Sequence, residues 1–365
     1  MNGPPNGRDA ELAALRQEID SVDEQMVNLL NKRIEIAQRI GRVKKDKGLS
    51  VVDFSRERAV LSRVASLNNG PLPQDTLRLV YAEVMAAARK IQKPVKVAYF
   101  GPEATFTHLA ATRHFGQTTS FVPQVSIADV FDEVEKSKCE YGVVPVENSI
   151  EGAVNHTLDL LYSADALILA EIYTPIVHEL MSKGAKIEDI KRVYSHPQPL
   201  AQCRAWLRRH LPNAELVEAA STSEAARLAV KEPGTAAIAS SLAAVVYDLD
   251  VLASHIQDAT HNATRFLVIG KDKVSPTGND KTSILFATAH VPGALYHALQ
   301  PISESGINMV KLESRPSKSA SWHYLFYVDL VGHIEDEIVK GVLEKMQPYC
   351  AFIKWLGSYP ISENV

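Results

Sequence analysis

The sequence predicts a multidomain protein in three parts: an all-helical region over residues 1–93, a two-lobed α/β body over 95–271, and a C-terminal ferredoxin-like β-α-β-β-α-β domain over 282–360. Three observations predict it. Apolar residues recur every three or four positions from 11 to 92. From Val95 short apolar runs alternate with amphipathic segments. After a stretch rich in Pro, Gly, Asn and Asp at 271–281, read as a linker, the pattern becomes strand, helix, strand, strand, helix, strand.

The first helix is expected to run to about Lys47 and break at Gly48, with a second over 53–67, a turn at 68–71 and a third ending at Gln92 before Lys93-Pro94. The opening 1–9 reads as a frayed tail. In the first helix the apolar seam Leu12, Leu15, Ile19, Val22, Met26 and Leu29 is interrupted by Arg33 before Ile36, Ile40 and Val43 resume. A guanidinium in a packing seam either meets a carboxylate or caps a cavity that receives an anion. Lys44, at ~100° per residue, returns to within about 20° of the same face, ~16 Å further on, so the pair spans a small anionic ligand. Arg16 precedes Arg33 by ~25 Å of helix and points about 100° away. It joins such a site only from an antiparallel second copy, which predicts an intertwined homodimer. The ordinary alternative is an ion-paired Arg33 and a Lys44 that snorkels at the helix end. Asp53, Arg56 and Glu57 open the second helix as a cap and a charged face, and Ala88 and Gln92 lie four apart on the third.

In the body, strands are expected at 95–100, 141–146, 166–177, 192–194, 236–239 and 266–269, and helices at 126–138, 153–161, 200–210 and 223–230. Polar runs follow the strands: Gly101 to His108 with Thr107, Glu147-Asn148-Ser149, Ser195 to Gln202, and Ser221 to Ser223. His261 to Phe266, containing Thr264 and Arg265, leads into one. Each run alone is capping and turn chemistry; together, at corresponding strand ends, they predict a binding cleft. In the C-terminal part Gly293-Ala294-Leu295 starts a helix, and Glu313-Ser314-Arg315-Pro316 ends a strand.

Composition narrows the function. With 46% hydrophobic and 22% charged residues and a net charge of −4, nothing favours nucleic acid. Neither an export signal nor a run of about 20 apolar residues is seen, so the expectation is a cytoplasmic protein without membrane contact. Cys139, Cys203 and Cys350 form no CxxC pair, the histidines have no metal spacing, and no nucleotide cradle follows a strand. No metal and no cofactor are therefore expected.

The spacing of Arg16, Arg33, Lys44 and Asp53-Phe-Ser-Arg56-Glu57 resembles the all-helical chorismate mutase family. The resemblance implies that Arg33 and the partner's Arg16 hold the carboxylates of chorismate. Lys44 and Gln92 would face the ether oxygen, Asp53 and Glu57 the ring hydroxyl with Arg56 nearby, and Ala88 stands where a small polar Ser is expected. The VENS, SHPQ and TRF runs resemble prephenate dehydratase. This implies Thr264 as the essential hydroxyl, with Asn148, Ser195 and Gln202 around it and Thr107 and Arg265 as anion contacts; Glu147 is the alternative acid if its surroundings raise its pKa. Gly293-Ala294-Leu295 and Glu313-Ser314-Arg315-Pro316 resemble the phenylalanine-binding ACT regulatory domain. In this order the three are those of the bifunctional chorismate mutase/prephenate dehydratase family of phenylalanine biosynthesis. Chorismate and prephenate are then the expected substrates, and L-phenylalanine the feedback inhibitor of a homodimer or higher oligomer. Two other readings stay open: an arogenate dehydratase, since no residue decides between the keto group of prephenate and the ammonium of arogenate, and a ligand-binding protein without chemistry, since a two-lobed body like that of periplasmic binding proteins also serves binding alone.

Overall fold

A computed structural model describes residues 7–47, 52–259, 261–316 and 324–362. Helix α1, Gly7–Asp46, begins inside the expected tail; residues 1–6 and the break at Gly48 lie outside the described residues. Its apolar seam is open along its length, from Leu12 at 48% exposed to Val43 at 54%. Helix α2, Phe54–Leu67, starts where Asp53 accepts the amide of Arg56 at 2.9 Å. Helix α3, Gln74–Gln92, buries Met85, Ala86, Ala88 and Arg89. Phe54 anchors this region to the body, its ring edge-on to Phe115 at 6.3 Å and to Tyr141 at 5.3 Å.

The first lobe comprises β1 (Lys96–Phe100), α4 (Phe106–Phe115), β2 (Ser120–Gln124), α5 (Ile127–Glu135), β3 (Tyr141–Asn148), β4 (Gly152–Ala153), α6 (Asn155–Ser163) and β5 (Leu167–Pro175). The chain then crosses to a second lobe of β6 (Glu179–Ser182), β7 (Arg192–Ser195), α7 (Pro197–Gln202), α8 (Arg204–His210), β8 (Glu215–Glu218), α9 (Thr222–Lys231), β9 (Thr235–Ala239), α10 (Ser241–Tyr247) and β10 (Asp250–Ala253). It returns as β11, Ala263–Gly270, which inserts antiparallel between β3 and β5. The sheets run β2-β1-β3-β11-β5, with β4 on β3, and β10-β6-β9-β7-β8. Two expectations change here. The run 166–177 ends as a strand at Pro175, and its last residues make the crossing into β6. The helix at 200–210 is two helices, α7 and α8, meeting at Cys203.

The C-terminal part contains β12 (Asp280–Thr288), α11 (Ala294–Glu304), β13 (Met309–Pro316), β14 (Tyr324–Val331), α12 (Glu337–Met346) and β15 (Cys350–Pro360). Its antiparallel order β13-β14-β12-β15 is that of a split β-α-β unit. Strand alternation gives the sheet two buried faces. Ile284, Phe286, Phe326 and Val328 pack on α11 and α12, whereas Leu285, Ala287, Leu325 and Tyr327 join Val144, Ile168 and Leu267 of the first lobe in one core. The segment 271–281 is consequently no loose linker. Val274 is buried, Ser55 donates to the Ser275 carbonyl at 2.5 Å, and Lys281 is buried within β12.

At Gly357 the join between β15 and β5 is so close that a Cβ would collide with the backbone of Ile168, and φ is +148°. Gly357→Ala is expected to lower stability by roughly 2–4 kcal/mol. An unchanged urea midpoint would show that the two domains do not approach as described.

Candidate functional site

A polar cleft lies where both lobes turn their strand ends toward the two chain crossings. Asn148 ends β3, Thr174 nears the end of β5 and Thr264 nears the start of β11. Cross-strand register places all three side by side, Thr264 opposite Asn148 on one flank and Thr174 on the other. The crossings contribute His178 and Asn262, and α7 of the second lobe contributes Gln202. The lobes are tied above the cleft: Ser240 Oγ donates to the Ala104 carbonyl at 3.0 Å, and Ser223 Oγ to that of Glu103.

The direction of hydrogen bonding through this cluster follows from the backbone. The amides of Ile150 and Glu151 donate to one side-chain atom of Asn148 at 3.0 and 3.1 Å, so that atom is the oxygen. Its Nδ2 then donates to Thr264 Oγ1 at 2.9 Å and to Asn262 Oδ1 at 2.8 Å. Because Thr264 accepts this bond, its own O–H is left to donate elsewhere. Asn262 Nδ2 in turn faces Gln202 Oε1 at 3.4 Å, which also receives His178 Nε2 at 2.7 Å. Burial lowers the pKa of His178, with Gln202 opposing the shift, and favours the neutral ring.

Not every residue expected in this cleft faces it. Ser195 is fully buried and donates to the Ile238 carbonyl at 2.7 Å, which pins β7 to β9. Thr107 is buried in the first turn of α4, after Thr105 has capped that helix. Arg265 and Glu147 correct the expectation outright. They are the cross-strand pair next to Thr264 and Asn148, so alternation sends both to the opposite side of the sheet. There Arg265 meets Glu171 at 2.9 Å, Asp329 at 2.7 Å and the Tyr359 hydroxyl at 3.0 Å, while Glu147 meets Lys311 at 2.5 Å. These contacts join the body to the C-terminal sheet. The sequence reading missed Thr174, inside a run that looks like ordinary apolar strand, and His178, just after it, and it left Asn262 in a motif without a role.

In the helical region α1 and α3 pack on one another. Arg33 lies 5.9 Å from the Tyr81 ring, and the Gln92 side chain lies where a Cβ on Gly41 would be, one turn before Lys44. Arg33 and Gln92 thus both lie at the contact between α1 and α3, with Lys44 one turn beyond Gly41 on α1, whereas the exposed Arg16 lies ~25 Å along α1. Asp53 is occupied as an N-cap, Arg56 is exposed and Ala88 is buried. Glu57 departs from its expected role toward a ligand: its carboxylate pairs with Arg89 at 2.5 Å. Arg89, absent from the sequence reading, also donates to the Phe115 carbonyl at 2.5 Å and so ties α2 and α3 to the body.

A cavity of about 230 Å³ opens at the start of α11, lined by Thr288, Gly293, Ala294, Leu295, Tyr324 and Phe326 among others. Gly293 adopts φ +79°, a conformation that costs glycine nothing. The run Glu313 to Pro316 is not part of this lining. Arg315 bonds Asp159 at 3.1 Å and the Asn155 carbonyl, on the face of β13 that looks toward the body. Glu313 shares that parity, and only Ser314 and Pro316 stand opposite Phe326 and Tyr324.

A family model described as chorismate mutase type II matches residues 15–93, and one described as prephenate dehydratase matches 97–274. The bifunctional chorismate mutase/prephenate dehydratase of Aquifex aeolicus is 47% identical over 354 residues, covering 96% of this chain and 98% of that protein. That of Pseudomonas aeruginosa is 44% identical over 356 residues, with the same coverage. Among solved structures, prephenate dehydratase from Arthrobacter aurescens in complex with L-Phe matches with a TM-score of 0.67 at 32% identity, over 73% of this chain and 90% of that one. A protein described as a quorum-quenching acylase, GqqA, matches with a TM-score of 0.68 at 27% identity, over 73% and 98%. One fold carries both descriptions, so chemistry has to be argued from the residues of the cleft.

Burial lowers the pKa of both His108 and His178, with Glu103 partly opposing the shift at His108. A base with a folded pKa below its unfolded value binds more protons when unfolded. The stability linked to these neutral rings is therefore full above pH 6.5 and is lost as the pH falls below it. The urea midpoint should fall between pH 7 and pH 5; a flat midpoint across that window would contradict neutral buried rings.

Proposed function

Because the chain belongs to the family of bifunctional chorismate mutase/prephenate dehydratases, we propose that it acts in the cytoplasm on chorismate and prephenate in succession, under inhibition by L-phenylalanine. The helical domain, residues 1–93, rearranges chorismate to prephenate. That step is intramolecular, so the site has only to hold a compact conformer and stabilise charge on the breaking ether bond. Arg33, Lys44 and Gln92 supply cations and an amide. Arg16 completes the site from a second copy packed on the open seam of α1, with Asp53 and Arg56 at its rim and Ala88 beneath Gln92.

The body, residues 95–271, converts prephenate to phenylpyruvate. The observation that carries this reading is the Asn148 amide donating to Thr264 Oγ1, which leaves the threonine proton free. As the ring carboxylate departs as CO2, its bonding electrons enter the ring, the carbon–oxygen bond to the ring hydroxyl breaks, and that oxygen leaves as water after taking up one proton. A threonine hydroxyl is a weak acid, and its contribution is a directed hydrogen bond to the departing oxygen. Gln202 positions the cluster from the second lobe. The C-terminal domain, residues 282–360, takes L-phenylalanine in the cavity at Gly293, Ala294 and Leu295 as an ACT domain does, with Ser314 and Pro316 on the adjoining strand.

Purified protein given chorismate, with no metal or cofactor added, is expected to form phenylpyruvate and to be suppressed by L-phenylalanine. Accumulation of prephenate would defeat the dehydratase half and make arogenate the next substrate to test. Thr264→Ala is expected to lower dehydratase turnover about 100-fold or more with mutase activity intact, and Lys44→Ala to do the reverse. Loss of both activities in either variant would contradict separate sites.

A further inference from the structure

The polar cluster ends in an atom that the proposed chemistry has not used. Gln202 Oε1 only accepts, so the His178 nitrogen 2.7 Å from it carries the proton. His178 Nδ1 is then a bare acceptor. It has no hydrogen-bond partner although the residue is 1% exposed. Its main chain is held from both sides, the amide donating to Gln257 Oε1 at 3.0 Å and the carbonyl accepting from Ile256 at 3.1 Å. The Phe106 ring stands edge-on to the imidazole at 5.5 Å and helps fix it. Four residues upstream, Thr174 Oγ1 is likewise buried without a partner, directly across from Thr264. An unpartnered polar atom in the interior is costly to keep. Two of them lie four residues apart, one beside Thr264 on the neighbouring strand and one linked to it through Gln202, Asn262 and Asn148, and together they mark a place completed by a ligand.

We propose that His178 contacts the substrate, with Nδ1 accepting a hydrogen bond from the ring hydroxyl that is expelled. This rests on prephenate being the ligand of the cleft. At neutral pH the two carboxylates and the ketone of prephenate only accept hydrogen bonds, and its ring hydroxyl is its single donor. The cleft offers the complementary pair, one acceptor at His178 Nδ1 and one donor at Thr264. If the hydroxyl gives its hydrogen to His178, its lone pairs turn toward the threonine O–H. His178 thereby orients the leaving oxygen, and the proton that completes the water reaches it from the other side.

The test uses two substitutions in the full-length protein that divide the functions of the imidazole. In His178→Asn the amide oxygen takes the place of Nδ1 and the contact with Gln202 is lost. In His178→Gln the side chain reaches Gln202 but leaves no acceptor at Nδ1. Dehydratase kcat, measured on added prephenate, is expected to fall about 10- to 100-fold in His178→Gln and to stay within about 5-fold in His178→Asn. The mutase rate of the same samples reports folding. Wild-type kcat in the Gln variant, the opposite ranking, or equal losses in both with mutase intact would each overturn the proposal. If neither variant folds, ¹⁵N-histidine NMR of the wild type decides. One unprotonated Nδ1 signal should shift with a non-reacting analogue that keeps the ring hydroxyl and stay put with one that lacks it; identical responses would overturn the proposal. Wild-type protein that makes no phenylpyruvate from prephenate would instead remove the underlying reading.

Discussion

Two backbone amides set the direction of the hydrogen bonds in the cleft. Ile150 and Glu151, in the turn after β3, both donate to Asn148 and so decide which end of that side chain is oxygen. From that assignment the rest follows without further choice: Asn148 donates, Thr264 and Asn262 accept, and Gln202 accepts from Asn262 and His178. A neutral threonine hydroxyl surrounded by amides has no intrinsic polarity. Here it acquires one because a tight turn exposes two N–H groups that need an acceptor.

The same strand that presents Thr264 also fastens the C-terminal domain. Period-two alternation sends Arg265 to the far side of β11, where it joins a set of three cations, Arg265, Lys281 and Lys311, and three carboxylates, Glu147, Glu171 and Asp329, buried except at the Lys311–Glu147 end. The charges balance, Ser283 donates to Asp329 Oδ1, and the Tyr359 hydroxyl accepts from Arg265 and bonds Ser283. Removing one of the set's buried members, Glu171 or Asp329, is expected to cost about 3–5 kcal/mol because a buried charge is left alone. The C-terminal sheet therefore sits against the backs of the residues that form the cluster, and the two domains share one packed core instead of being joined by a flexible tether.

The helical region, the α/β alternation and the C-terminal strand order were legible because each writes a distinct hydrophobic period. The polar runs that hold Thr264, Asn148 and Gln202 were visible because they interrupt that period between strands and helices, and the resemblance to prephenate dehydratase singled out these residues within them. Arg265 and Glu147 were misread for a physical reason: in sequence they adjoin the cleft residues, but one step along a strand reverses the face. His178 stayed hidden because a single histidine after an apolar run looks like a core residue. Its meaning depends on Gln202, which is 24 residues away and brought near by the second lobe. The short edge strands β2, β4, β8 and β10 left too weak a pattern to see, and the stretch at 271–281 has a linker's composition but is held down by Val274 and Lys281.

Asn148→Asp tests the central claim most directly. The carboxylate keeps the size of the amide and still accepts from Ile150 and Glu151, but it has no N–H to give, so the Thr264 hydrogen is drawn back onto it. Steady-state kinetics on prephenate should show kcat reduced by about 100-fold or more, with mutase turnover unchanged. Wild-type dehydratase turnover in this variant would mean that the direction of the Asn148–Thr264 hydrogen bond does not govern the chemistry.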